Sequence, residues 1–189
     1  MIPTDRKTFV TTYNDFVNKA VKDTGIFAGT LFAQAILESS GKYNISTWSV
    51  GGSKLSQKAN NFFGIKSSPK WKGEVYNIST GEYTPAGQFY TEKDNFRKYN
   101  SVEDSIKDYV KFLTENPRYK AAGVFTAKDV KEQAERLKAA GYATAPNYAD
   151  LVNSVYNSVS SFISENKGKI AGGTIVLFIG LFLAYKYFK

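Results

Sequence analysis

The chain has 189 residues, a formal net charge of +8, and neither cysteine nor histidine. Those absences exclude a cysteine nucleophile, a Ser-His-Asp triad, zinc held by Cys or His, and thiol redox chemistry. Carboxylates, tyrosines, lysines and hydroxyls are left for catalysis, and the lysine-rich excess suits either an anionic partner (nucleic acid, lipid headgroups or a carboxylate-rich cell wall) or plain solubility, between which charge alone does not choose.

The N-terminal segment leads straight into an amphipathic helix with Phe9, Tyr13, Phe16, Val17, Ala20 and Val21 on one side. No basic stretch precedes an uninterrupted apolar run, so it does not read as a secretion signal. Export is then expected to depend on the C-terminal segment, on lysis, or on packaging in a particle.

A second helix is predicted over 26–38, with Gly41 placed to help end it. It is apolar nearly all round, which marks a buried helix. Its polar residues Thr30, Gln34 and Glu38 are spaced four apart and form one stripe, so that edge is expected to line a cleft. Glu38 falls at the negative end of the helix dipole, where solvent is scarce, and both effects favour the protonated acid. A carboxylic acid that stays protonated near neutral pH is what a general acid requires. From the helix alone, a last-turn Glu pointing into water is an equal reading.

A polar loop with Trp48 and the Gly51-Gly52 turn follows, then a short helix over 55–61 and the run Phe62-Phe63-Gly64-Ile65-Lys66. Over 71–90 the pattern changes: Val75, Ile78, Tyr83, Phe89 and Tyr90, broken by Gly81, Pro85 and Gly87, predict two or three strands. Helices return over 101–116, 126–139 and 148–164. From 170 to 185 no residue is charged, and lysines flank the run. The 16 residues from 170 to 185 span about 24 Å as a helix, against a hydrocarbon core of about 30 Å. Snorkelling of Lys169 and Lys186, with Tyr185 and Tyr187 at the interface, can make up the difference. A domain at 1–164, a linker at 165–169 and a transmembrane helix at 170–188 are therefore expected, with a buried core helix as the alternative for the last. The flanking lysines balance, so orientation stays open.

Four segments then carry a resemblance: Ala33-Gln34-Ala35-Ile36-Leu37-Glu38-Ser39, Asn60-Asn61-Phe62-Phe63-Gly64-Ile65-Lys66, Thr80-Gly81-Glu82-Tyr83, and Phe96-Arg97-Lys98-Tyr99-Asn100-Ser101. A fifth is Gly141-Tyr142-Ala143-Thr144-Ala145-Pro146-Asn147-Tyr148-Ala149. In order and spacing, over roughly 8–160, the chain resembles the glucosaminidase domains of glycoside hydrolase family 73, bacterial peptidoglycan hydrolases that include the flagellar rod-associated enzyme and many autolysins. The resemblance implies a mainly α (α+β) fold, a lysozyme-like helical domain with a small β-lobe across the cleft.

It also implies roles. Glu38 would be the general acid at an N-acetylglucosamine–N-acetylmuramic acid linkage, and Glu82, on the β-lobe, the second carboxylate that activates water or stabilises the oxocarbenium charge. Phe62, Phe63, Tyr142 and Tyr148 would form the sugar cleft with Gln34, and Asn60 and Asn61 would offer amides to the acetamido groups. This chemistry needs no metal or organic cofactor. Ala145 stands where the family commonly has Asp, and Asp150 substitutes only if its helix geometry allows. The expected partners are peptidoglycan glycan strands and, through the C-terminal helix, a lipid membrane, viral or of the bacterial envelope, as for a phage-encoded wall-lytic enzyme. Nucleic acid is not expected, since no such motif is present and arginine is scarce. The competing reading is a wall-binding or structural protein that kept the fold and lost the chemistry. Oligomeric state and the stereochemistry of cleavage stay open.

Overall fold

The computed structural model describes residues 4–40, 49–83 and 89–163, with the backbone alone over 80–83 and 89–90. The predicted linker and membrane helix, Gly41 and Trp48 lie outside the described residues. No helix among the described residues is long and apolar enough to cross a membrane.

Helix α1 (Arg6–Val21) starts at Asp5, whose carboxylate accepts from the Thr8 amide at 2.8 Å. It buries Phe9, Tyr13, Val17 and Val21, while Phe16 and Ala20 pack partly buried against the same core. Helix α2 (Ala28–Ser39) is the centre of the body: its side chains from Ala28 through Ile36 are buried. No side chain caps its start. The tie comes from Gln133 on α6 (Val130–Ala139) instead. The Phe27 amide donates to Gln133 Oε1 at 3.0 Å, and Gln133 Nε2 donates to the Gly25 and Val124 carbonyls at 2.8 and 2.9 Å. Helix α2 also lies against α1 and α7 (Tyr148–Val159). A Cβ at Gly29 would stand 2.5 Å from the Tyr156 ring, so only glycine permits that approach of α2 to α7.

Helix α3 (Lys54–Ala59) precedes the hairpin of β1 (Val75–Tyr83) and β2 (Phe89–Arg97). The strands are antiparallel, from Val75 opposite Arg97 to Tyr83 opposite Phe89. The sheet thus extends past the predicted 71–90 to Arg97. Its second strand runs through polar, mostly exposed residues and shows no apolar alternation to announce it. At the base, the Ser67 amide donates to the Asn95 carbonyl at 2.7 Å and the Arg97 amide to the Ile65 carbonyl at 3.0 Å.

Helix α4 (Val102–Glu115) starts where Ser101 accepts from the Asp104 amide at 3.1 Å. A short α5 (Pro117–Ala121), absent from the sequence expectation, follows with Pro at its first position. The helix expected from 126 begins later. Residues 124–126 form a 3₁₀ turn, and Asp129 caps α6 by accepting from the Glu132 amide at 2.8 Å. Helix α7 gives way at Ser160 to a second 3₁₀ turn, short of the predicted 164. The result is a mainly helical body with one small hairpin at its edge.

Candidate active site

A cleft of about 820 Å³ opens between the end of α2, the 63–66 segment with the hairpin base, and residues 141–145 leading into α7. Glu38 lies on its floor. It is the only carboxylate among the described lining residues, and Lys54, Lys66 and Arg118 are the cations.

By surface area Glu38 is exposed, yet it is surrounded by protein on every side except the cleft mouth. Both descriptions hold at the floor of a concavity. The surrounding protein displaces water that would solvate a carboxylate, and this pushes the Glu38 pKa up to about 7. A hydrogen bond from the Tyr148 hydroxyl opposes the shift with a smaller effect. Near neutral pH the group therefore holds its proton about half the time.

The polar stripe of α2 meets the cleft only at its last member, which corrects the expectation that the whole edge lines it. Thr30 and Gln34 are fully buried. Gln34 is the middle of a buried relay: the Tyr109 hydroxyl donates to Gln34 Oε1, and Gln34 Nε2 donates to the Tyr148 oxygen at 2.6 Å. Because Tyr148 accepts from Gln34, its own proton is directed to Glu38. Burial raises the Tyr109, Tyr142 and Tyr148 hydroxyls well above the ordinary phenol value, so all three stay neutral donors.

The facing wall is built by the 60–66 segment. Asn60 ends α3 in the left-handed conformation (φ 49°), and its Nδ2 donates to the Tyr99 carbonyl at 3.0 Å. Asn61 is buried. Its Nδ2 donates to the Ile65 and Arg97 carbonyls at 3.0 and 2.8 Å, and its Oδ1 accepts from the Ile65 amide at 3.1 Å. Phe62 is fully buried and stacks on Phe9 at 5.6 Å between centroids. These three side chains are therefore engaged away from the cleft and hold its wall. Phe63 does line it, stacked on Tyr109 at 4.1 Å, and its carbonyl accepts from the Tyr142 hydroxyl at 2.9 Å. Gly64 (φ +63°) passes close to the acid: a Cβ there would lie 4.0 Å from Glu38 Oε2.

Tyr142 and Tyr148 line the cleft beside Glu38. The Glu82 backbone pairs with Tyr90 in the hairpin, while its side chain lies outside the described residues. Ala145 lines the cleft. Asp150 is not among the lining residues and pairs instead with Lys131 at 3.2 Å. Tyr109 and Tyr119 complete a tyrosine cluster with Tyr142, at 6.2 and 6.4 Å between centroids, and sequence reasoning missed both. Tyr109 sits at helical spacing with Ile106, Val110 and Leu113, which reads as plain core. The available signal was its hydroxyl, which needs a partner once buried. Among the described residues no acidic cluster is placed to hold a metal ion.

The glucosaminidase family model, described as mannosyl-glycoprotein endo-beta-N-acetylglucosaminidase, matches residues 14–161. The peptidoglycan hydrolase FlgJ of Escherichia coli K12 is 36% identical over 169 residues, covering 89% of this chain and 51% of that protein. The exo-glucosaminidase LytG of Bacillus subtilis is 36% identical over 126 residues, covering 65% of this chain and 40% of that one. This chain thus spans about half the length of the curated FlgJ proteins it matches. Among solved structures, a peptidoglycan hydrolase mutant from Sphingomonas sp. A1 superposes with a TM-score of 0.67 at 31% identity, covering 83% of this chain and 97% of that one. The truncated glycoside hydrolase domain of Salmonella typhimurium FlgJ gives 0.58 at 34% identity, with 83% and 99% coverage. The family match spans most of the chain and takes in the acid, the aromatic wall and the tyrosine relay, so this chain belongs to the glucosaminidase family.

Proposed function

We propose that this protein is a peptidoglycan hydrolase that cuts the glycan backbone as an endo-β-N-acetylglucosaminidase. The observation that carries the reading is Glu38, an acid with a pKa of about 7 on the floor of a cleft large enough for sugar rings. In its protonated form Glu38 gives its proton to the glycosidic oxygen as the C1–O bond breaks. Water then adds to C1, and its released proton is taken up by a carboxylate, either Glu38 again or Glu82 from the hairpin. Tyr148 holds the Glu38 carboxyl in place through its hydroxyl, with Gln34 behind it. Phe63 and Tyr142 present ring surface to the sugars, and Asn60, Asn61 and Phe62 keep that wall in position.

The uncharged run from 170 to 185 between lysines supports a membrane tether at 170–188. A tethered wall hydrolase suits a phage enzyme carried on a virion membrane to breach the host wall, or a remodelling enzyme of a bacterial envelope. The second reading, a wall-binding protein with impaired chemistry, is favoured by Ala145, since Glu38 has no second carboxylate beside it among the described lining residues.

The test is mass spectrometry of purified peptidoglycan digested by the full chain, run beside Glu38→Gln. New N-acetylglucosamine reducing ends, absent with the variant, are the expected result. Muramic acid reducing ends would keep the acid and change the bond. Binding without products from either protein would sustain the second reading.

A further inference from the structure

We propose that a groove beside the cleft is a subsite for the carboxylate-bearing peptide stem of the wall polymer, an inference that rests on the hydrolase reading above. The groove has a volume of about 500 Å³ and is lined by Lys66, Lys70, Trp71, Arg97 and Lys111, with Asp108 and Glu115 as its only described acids. Lys66 and Phe112 line both this groove and the catalytic cleft, so the two concavities meet there.

The charges of the groove differ in how committed they are. Arg97 Nη1 holds Asp108 at 2.7 Å, and the Tyr99 hydroxyl donates to the same oxygen at 2.7 Å, so the Asp108 carboxylate is already committed to partners. The Arg97 guanidinium is fixed between two rings, 4.8 Å from the Trp71 centroid and 5.5 Å from that of Phe112. Lys66 is tied to Asp94 at 2.8 Å. Lys111 stands 3.9 Å from Glu115, both about two-thirds exposed, a pairing too loose to hold it. Lys70 is exposed and has no ion-pair partner among the described residues. Two exposed, weakly committed ammonium groups therefore flank the Trp71-Arg97-Phe112 stack.

A glycan strand in the cleft carries its peptide stems on alternate sugars, and each stem must leave sideways. A stem combines free carboxylates with small apolar side chains. The ammonium groups suit the first and the Trp71 ring the second. A neutral polymer of N-acetylglucosamine has nothing to place there. The groove would therefore select stem-bearing wall polymer over bare glycan while leaving the reaction at Glu38 unchanged.

The experiment uses the full chain carrying Glu38→Gln, so that the ligand is not consumed. It is titrated with a wall tetrasaccharide bearing its stems and with the same sugar after amidase has removed them. The stem-bearing ligand is expected to bind about tenfold more tightly, through paired ammonium–carboxylate contacts. Lys70→Ala with Lys111→Ala, both at exposed positions, should bring the two ligands to within about twofold by weakening only the stem-bearing one. Equal affinity for the two ligands in the parent chain overturns the subsite, and so does a preference that survives the double substitution. Binding of neither ligand, together with no cleavage by the unsubstituted chain, overturns the hydrolase reading itself.

Discussion

Glu38 belongs to a helix whose side chains from Ala28 through Ile36 are buried, whereas Glu82 belongs to a hairpin whose described side chains are mostly exposed or half-buried. Of those hairpin side chains only Phe96 is buried, and Val75 is 50% exposed. The two carboxylates assigned to one reaction thus sit on scaffolds of opposite character. The helix places its acid by packing and by a buried hydrogen-bonded relay, and it sets the proton affinity before any substrate arrives. The hairpin contributes through a few polar ties at its base, above all Asn61, Lys66 and Arg97. Under the proposed reaction the body preorganises the proton donor, and an edge element carries the partner carboxylate.

The sharpest way to break this contrast is to neutralise each acid in turn. Glu38→Gln should lower kcat on peptidoglycan by about 10²–10⁴, the range for losing a general acid. Glu82→Gln should lower it by about 10–10², because water can find another proton acceptor more easily than the leaving group can find another donor. Equal losses would mean that the hairpin acid is as tightly integrated as the floor acid, and the contrast would fall. The comparison is made at the pH optimum of each variant.

Asn61 tests the tie between body and hairpin. Its amide serves the Ile65 and Arg97 carbonyls and the Ile65 amide in a buried position. Asn61→Ala should destabilise the fold by about 2–3 kcal/mol, the penalty for leaving such groups unpaired. Asn60→Gly, which keeps the left-handed cap, should cost less than about 1 kcal/mol. Urea unfolding of both separates them. A small effect at Asn61 would mean the hairpin base is held by strand pairing alone.

How far these features could be read from the sequence follows the same division. Helix α2 was legible because a long apolar run with polar residues every fourth position marks a buried helix with one polar edge, while the last-turn place of Glu38 left cleft and solvent as equal readings until the family resemblance was added. What that pattern hid was depth. Thr30, Gln34 and Glu38 share an edge, yet only Glu38 reaches the cleft and Gln34 is sealed beneath Tyr109 and Tyr148. Strand β2 was partly missed because Thr91, Glu92, Lys93 and Asn95 are exposed and carry no alternation. Asn60 and Asn61 were readable as a motif, but they reach carbonyls 39 and 36 residues away, at Tyr99 and Arg97 respectively, a pairing that spacing does not reveal.

Tyr109 probes the relay behind the floor acid. Its hydroxyl fixes the Gln34 amide so that Nε2 faces Tyr148. With Tyr109→Phe, nothing stops the amide from turning, and the Tyr148 proton can then go to Gln34 Oε1 rather than to Glu38. Loss of that donation favours the protonated carboxyl, so the Glu38 pKa rises and the alkaline limb of the kcat profile moves to higher pH. A modest fall in kcat, about threefold to tenfold, should accompany the shift as the carboxyl loses its fixed position. A fall in kcat with an unmoved limb would reduce Tyr109 to packing against Phe63.

The smallest effect concerns stability, and its sign is opposite to that on activity. Glu38 has its pKa raised from 4.5 to about 7 on folding, so the unfolded chain releases this proton at lower pH than the native one. Below about pH 4.5 both states hold the proton and the group is neutral in effect. Between there and about pH 7 the unfolded state gains ionised Glu38 that the native state resists, and the native state loses stability until both are ionised. The cleft mouth admits water, so the full shift overstates the penalty, and about 1 kcal/mol is the expected size after discounting for screening. Glu38→Gln removes the ionisation and should therefore raise the melting temperature at pH 8 by about 2–4 °C, with the difference vanishing at pH 4. Such a crossover between a stabler protein and a dead one would locate the strain at the proton donor and leave the hairpin out of it. An unchanged melting temperature at pH 8 would mean that solvent reaches Glu38 freely, and the preorganised acid on the floor would lose its physical basis.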